Sequence, residues 1–183
     1  MIDIRPLTLA GTYEIKLKPL GDERGYFLTT YQQRAFEEAG LVTGWVQENQ
    51  SLSTRQGVIR GLHFQAPPHA QTKLVRVLLG AALDVFVDIR RGSPTYGQWD
   101  AIELSDVNHR AVYVPQGFAH GFCTLAERVL IAYKVDDYYA PENEGGLMWN
   151  DPDLGIDWPT TTPALSGRDQ AWPPFAEFVS PFG

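Results

Sequence analysis

Four side chains in this sequence have the type and setting needed to move protons. His63 lies in Arg60-Gly61-Leu62-His63-Phe64-Gln65, and His120 in Pro115-Gln116-Gly117-Phe118-Ala119-His120-Gly121-Phe122. An unperturbed imidazole titrates near 6.5, so either can serve as a base at neutral pH or ligate a metal. Tyr133 belongs to Val129-Leu130-Ile131-Ala132-Tyr133-Lys134-Val135. Alternation puts it on one face with Val129, Ile131 and Val135, so its ring points inward and its hydroxyl needs a partner. Lys73, before Leu74-Val75, can stabilise charge on an oxygen, or can simply be a solvated strand end. Taken alone, His63 reads first as a core histidine bonded to backbone; its chemistry depends on its company.

The elements that must position these groups are short strands. In Leu83-Asp84-Val85-Phe86-Val87-Asp88-Ile89-Arg90, the residues Leu83, Val85, Val87 and Ile89 point one way and Asp84, Asp88 and Arg90 the other, the pattern of a half-buried strand. Lys73 to Leu79, Gln98 to Leu104, Ala111 to Val114 and Val129 to Val135 read likewise. Gly80, Arg91-Gly92-Ser93-Pro94, Ser105-Asp106-Val107-Asn108 and Pro115-Gln116-Gly117 supply turns between them. Strands at this spacing predict a sandwich or barrel. One short helix is expected over Gln32 to Ala39, closed by Gly40 at C′. From Pro141 onward the chain reads as loops with short helical turns.

With 183 residues the chain buries roughly 70% of its unfolded surface and needs no disulfide or structural metal to fold. It reads as a single domain, 1–183. A net charge of −7 and a pI near 5.0 argue against a nucleic-acid or anionic-membrane surface. Cys123 is the only cysteine, so a reducing compartment is the simpler expectation. No signal-peptide pattern or stretch of roughly 20 apolar residues occurs, and a cytoplasmic location is expected.

The segments Gly57 to Gln65 and Pro115 to Phe122 resemble the two motifs of the cupin superfamily, which implies an all-β, cupin-type jelly-roll β-barrel with short helices at its ends. Metal-binding cupins carry two His and a Glu in the first motif and a further His in the second. Here Gln65 replaces the second His and Gln71 stands near the Glu position, leaving His63 and His120. Two imidazoles with amides make a poor Zn or Fe site, so neither a metal nor another cofactor is expected.

Further motifs narrow the resemblance. Asp22-Glu23-Arg24-Gly25-Tyr26-Phe27, Gln47-Glu48-Asn49, Arg60 to Gln65, Gln71 to Val77, Ser93-Pro94-Thr95-Tyr96-Gly97, Pro115 to Phe122, Tyr133-Lys134, Tyr138-Tyr139 and Asn150 to Pro159 resemble the dTDP-4-dehydrorhamnose 3,5-epimerase family, in order and across nearly the whole chain. The resemblance implies an isomerase that inverts C3 and C5 of dTDP-4-keto-6-deoxyglucose to give dTDP-4-keto-rhamnose. Such chemistry needs a base, a cation or donor at the developing enolate oxygen, and an acid on the other side of the ring.

The resemblance also assigns roles. His63 is the base, with the carboxylate of Asp169 on its second ring nitrogen; Tyr133 is the acid; Lys73 faces the enolate. Arg24 and Arg60 hold the pyrophosphate, for which a guanidinium fork is suited. Gln47, Asn49 and Glu144 contact nucleotide or sugar, Tyr139 stacks on thymine, and Phe27, His120 and Arg168 join the substrate-binding set. Arg60 and His63 stand at odd separation on one strand; the resemblance, not periodicity, puts both in the pocket. Thr29 stands where the family carries a Glu that contacts the nucleotide, which bears on base preference. A homodimer is also implied, with the N-terminal strand crossing to the partner. The competing readings are a C3-only epimerase, a metal-dependent cupin, and a non-catalytic sugar-binding jelly roll.

Overall fold

In the computed structural model, which describes residues 2–183, the alternating segments become thirteen strands. They are β1 (Ile2–Pro6), β2 (Tyr13–Leu17), β3 (Leu20–Asp22), β4 (Gly25–Phe27), β5 (Gln47–Ser53), β6 (Ile59–Gln65), β7 (Lys73–Leu79), β8 (Ala81–Asp88), β9 (Trp99–Ser105), β10 (Arg110–Val114), β11 (Phe118–Thr124), β12 (Val129–Val135) and β13 (Glu144–Gly146). The expected helix is α1 (Gln33–Glu38), and Gly40 follows it with φ 69° in the left-handed region that ends helices. The tail contributes 3-10 turns at Pro141–Asn143 and Phe175–Glu177 and, beyond the loops and turns expected of it, the short strand β13, which pairs with β6.

Two antiparallel sheets face each other, β1-β2-β10-β7-β12-β5 and β13-β6-β11-β8-β9, as a jelly-roll barrel. Val75, Val77, Phe86, Leu104, Val112, Phe118, Val129 and Ile131 fill the space between them. The outer face of the β13-to-β9 sheet is also apolar. Val85, Val87, Ile89 and Ala119 there are covered by Leu147, Leu154 and Trp158 from the tail, with Phe175, Phe178 and Phe182 packed alongside. On the other sheet Ile15, Leu17, Leu74 and Tyr113 are covered by Phe36 of α1 and its flanks.

This arrangement corrects the reading of β8 as half-buried. Asp84 and Asp88 share a face with Ala82 and Phe86, and that face is the barrel interior: both carboxylates are buried. The opposite, aliphatic face lies under the tail, so β8 is covered on both faces.

A second departure from simple alternation positions the chemistry. His63 pairs with His120 and Arg60 with Phe122, so three steps along β6 match two along β11. The extra residue is a β-bulge, which re-aims a side chain and brings both Arg60 and His63 to the inner face. Gly61 sits in it at φ 122°, and a Cβ there would lie 2.6 Å from Gly121 Cα and 2.7 Å from the His120 carbonyl oxygen. Neither backbone can yield cheaply. Gly61→Ala is therefore expected to cost about 3 kcal/mol or more in a urea unfolding experiment; a loss under about 1 kcal/mol would show the approach to be slack.

Candidate active site

The barrel interior is left open between the sheets as a cavity of about 440 Å³. From β6 it receives Arg60, His63 and Gln65; from β7, Lys73; from β11, His120; and from β12, Tyr133. Gln47 and Asn49 of β5, Glu144 of β13, Tyr139, and the tail residues Ser166, Arg168 and Asp169 complete the polar lining. The inward placement of Tyr133 follows the alternation of β12, whose Ile131 also faces in.

His63 Nε2 lies 2.5 Å from Asp169 Oδ1. Asp169 is buried and also accepts from the Ser166 hydroxyl at 2.8 Å, while its own backbone N–H donates to Ser166 Oγ at 3.1 Å. Burial opposes ionisation of this carboxyl, but the bonds from His63, Ser166 and the Gly61 backbone outweigh it and hold Asp169 below the usual carboxylate range. An ionised carboxylate can only accept, so Nε2 carries the ring proton and Nδ1 keeps the lone pair. Nδ1 is therefore the basic atom. The edge of Trp172, 6.1 Å between ring centroids, packs against the imidazole.

Lys73 is half-buried and lines the cavity. Desolvation lowers its ammonium to about 8, opposed first by Asp84 and then by Glu144. Burial raises the Tyr133 phenol, aided by Glu144 and opposed by Arg60, so it stays protonated. At the mouth, Glu144 accepts from Tyr139 Oη at 3.0 Å and from Arg168 Nη1 at 2.5 Å. Gln47 Nε2 donates to Asn49 Oδ1 at 2.9 Å.

Arg24 and Phe27 are not brought to this cavity. They lie on the β3–β4 hairpin, which pairs only with itself; Phe27 is 69% exposed, and Arg24 is ion-paired to its neighbour Asp22 at 2.6 Å. Thr29 is exposed as well. Gln65, in the second-His position of the cupin pattern, is committed to scaffold: its amide donates to the His69 and Tyr138 carbonyls and accepts from Ala140 N–H. Among the described residues no three His, Cys, Asp or Glu side chains converge as a metal site. Ser166 and Asp84 were not anticipated. The Ser-x-x-Asp spacing of a side-chain-capped turn was a signal for the first; Asp84 was read as solvent-facing.

The family model described as dTDP-4-dehydrorhamnose 3,5-epimerase matches residues 6–177. The chain belongs to this family. A dTDP-4-dehydrorhamnose 3,5-epimerase of Pseudomonas aeruginosa is 52% identical over 86% of this chain and 87% of its own. The structure of a Legionella pneumophila 3,5-epimerase in complex with dTDP-4-keto-L-rhamnose superposes with a TM-score of 0.93 at 42% identity, covering 98% of this chain and 95% of that one. A dTDP-4-dehydrorhamnose 3-epimerase of Streptomyces niveus is 46% identical over 91% of this chain and 81% of its own. Membership of the 3,5-epimerase family fits a fold in which His, Lys and Tyr share one polar cavity. No helix among the described residues is long and apolar enough to cross a membrane.

Proposed function

We propose that this chain inverts C3 and C5 of dTDP-4-keto-6-deoxyglucose, giving dTDP-4-keto-rhamnose, with His63 and Tyr133 as base and acid. The observation that carries the reading is the His63–Asp169 pair opening on the same cavity as Tyr133 and Lys73. His63 Nδ1 takes the proton from a carbon beside the C4 ketone. The C–H electron pair moves into the ring, and the carbonyl electrons move to the C4 oxygen, where the Lys73 ammonium meets the new charge. Tyr133 Oη then delivers a proton to the same carbon from the opposite face, and the enolate collapses to the ketone. The base has gained one proton and the acid lost one, and exchange with solvent resets both. C3 and C5 both flank C4, so one constellation serves two inversions. Arg60 anchors the pyrophosphate, with Arg168 and Glu144 at the mouth and Tyr139 under the base.

Incubation of the substrate in D2O tests this directly: deuterium is expected at both C3 and C5, and an unlabelled sugar would refute the mechanism. A second reading, inversion at C3 alone, is favoured by the similarity to the Streptomyces niveus 3-epimerase. It predicts label at one carbon.

The proposal extends to a one-domain cytoplasmic enzyme acting as a homodimer. Leu52 and Leu79 are exposed on the β1-to-β5 sheet, whose edge strand β5 pairs with β12 on one side and with no strand on the other among the described residues. Arg24 and Phe27, projecting on their hairpin, would then reach the nucleotide in the partner's cavity. Light scattering is expected to give twice the 20.5 kDa chain mass; a monomer at working concentration would remove this assembly.

A further inference from the structure

The mechanism above leaves one buried carboxylate unused. Asp84 lies on the interior face of β8, is 0% exposed, and accepts from His120 Nε2 through Oδ1 at 2.8 Å. Its other oxygen has no hydrogen-bond partner among the described residues. Asp88, two positions further along the same face, shows how this barrel treats a structural carboxylate. Its Oδ1 takes the Arg90 backbone N–H and Nε, and its Oδ2 takes Arg90 Nη2, Ser93 Oγ and Thr95 Oγ1. Asp84 has a single bond where Asp88 has five, yet no more contact with water. Buried carboxylates are costly unless paired, and beyond the bond from His120 a charge across the cavity can offset that cost.

That charge is Lys73. It rises from β7 in the opposite sheet, and Asp84 is the foremost group supporting its ammonium against desolvation. The other charged or titratable groups around the cavity are His63 and Arg60 from β6, His120 from β11, Tyr133 from β12, Glu144 from β13, and Arg168, Asp169 and Tyr139. Of these only Glu144 also acts appreciably on Lys73, and it is already bonded to Tyr139 and Arg168. On the His120 side, a carboxylate on Nε2 fixes the ring proton there and leaves the Nδ1 lone pair free to accept.

We propose that Asp84 is a positioning residue of the reaction: Oδ1 fixes His120 with Nδ1 as the acceptor for a hydroxyl of the sugar, and the same carboxylate keeps Lys73 an ammonium at the enolate oxygen. One buried group thus orients the ring and sustains the countercharge. This inference rests on the epimerase reading.

Asp84→Asn retains the shape and an acceptor for His120 but removes the charge. Its kcat for deuterium incorporation is expected to fall about 100-fold with KM changed less than about threefold. The alkaline limb of kcat/KM, set by Lys73, is expected to move down by about half a unit or more. A purely structural Asp84 would lower thermal stability while kcat and the alkaline limb stay at wild-type values, and that result overturns the proposal. A double-mutant cycle reads the same coupling without activity. Lys73→Met strands the carboxylate and is expected to lower Tm, and adding Asp84→Asn should recover most of the loss; additive losses would refute the coupling. Absence of labelling by the wild-type protein would instead overturn the epimerase reading, and the catalytic part of this one with it, whatever the thermal cycle gives.

Discussion

His63→Ala is expected to lower deuterium incorporation at both C3 and C5 by about 10⁴-fold, the full worth of a positioned base. Both carbons should suffer together, because Nδ1 is the basic atom on the cavity side for which Asp169 has fixed the tautomer. The dissociation constant for thymidine diphosphate should change little. Arg60→Ala provides the mirror image, with weaker thymidine diphosphate binding and a much smaller effect on the chemical step. Residual exchange in His63→Ala at one carbon only would mean that a second base serves that carbon. Loss of nucleotide affinity equal to the loss of exchange would mean that the barrel itself had been damaged.

Tyr133→Phe should divide the reaction in two. The phenol, held protonated by burial, is the group able to return a proton from the face away from His63. Without it, the enolate still forms, and His63 can hand back a solvent-exchanged proton on the side from which the first one left. We expect deuterium incorporation with retained configuration, exchange falling about tenfold and formation of inverted product falling about 10³-fold. The measurement is NMR of both label and configuration at each carbon. Equal losses in exchange and inversion would make Tyr133 part of proton abstraction and remove it as the acid.

Sequence periodicity was a good guide to which residues share a face and a poor guide to what that face meets. For β12 the two questions have the same answer: Val129, Ile131 and Tyr133 point inward, as alternation implies. For β8 they diverge. Asp84 and Asp88 were correctly grouped apart from Val85 and Val87, but polarity was taken as a sign of solvent, whereas a barrel with an internal cavity hides polar groups inside and seals its aliphatic exterior under the tail. The chemistry of Asp84 was lost by that inversion. Asp169 could be reached only through family resemblance, since nothing local ties residue 169 to residue 63, and the contact is made by a loop-rich tail. Arg24 and Phe27 mark the opposite limit. They match the family pattern in order, yet no property of one chain shows that a hairpin will project away from its own cavity.

The bulge in β6 has a consequence for how such a site can change over time. Arg60 and His63, the proposed anion anchor and base, stand three residues apart and share a wall only because of a single supernumerary residue, so ironing out the bulge at the present strand length would throw the two onto opposite walls. Descendants of this scaffold are therefore free to exchange loops and edge strands, but inherit ligand anchoring and proton chemistry as one indivisible cassette.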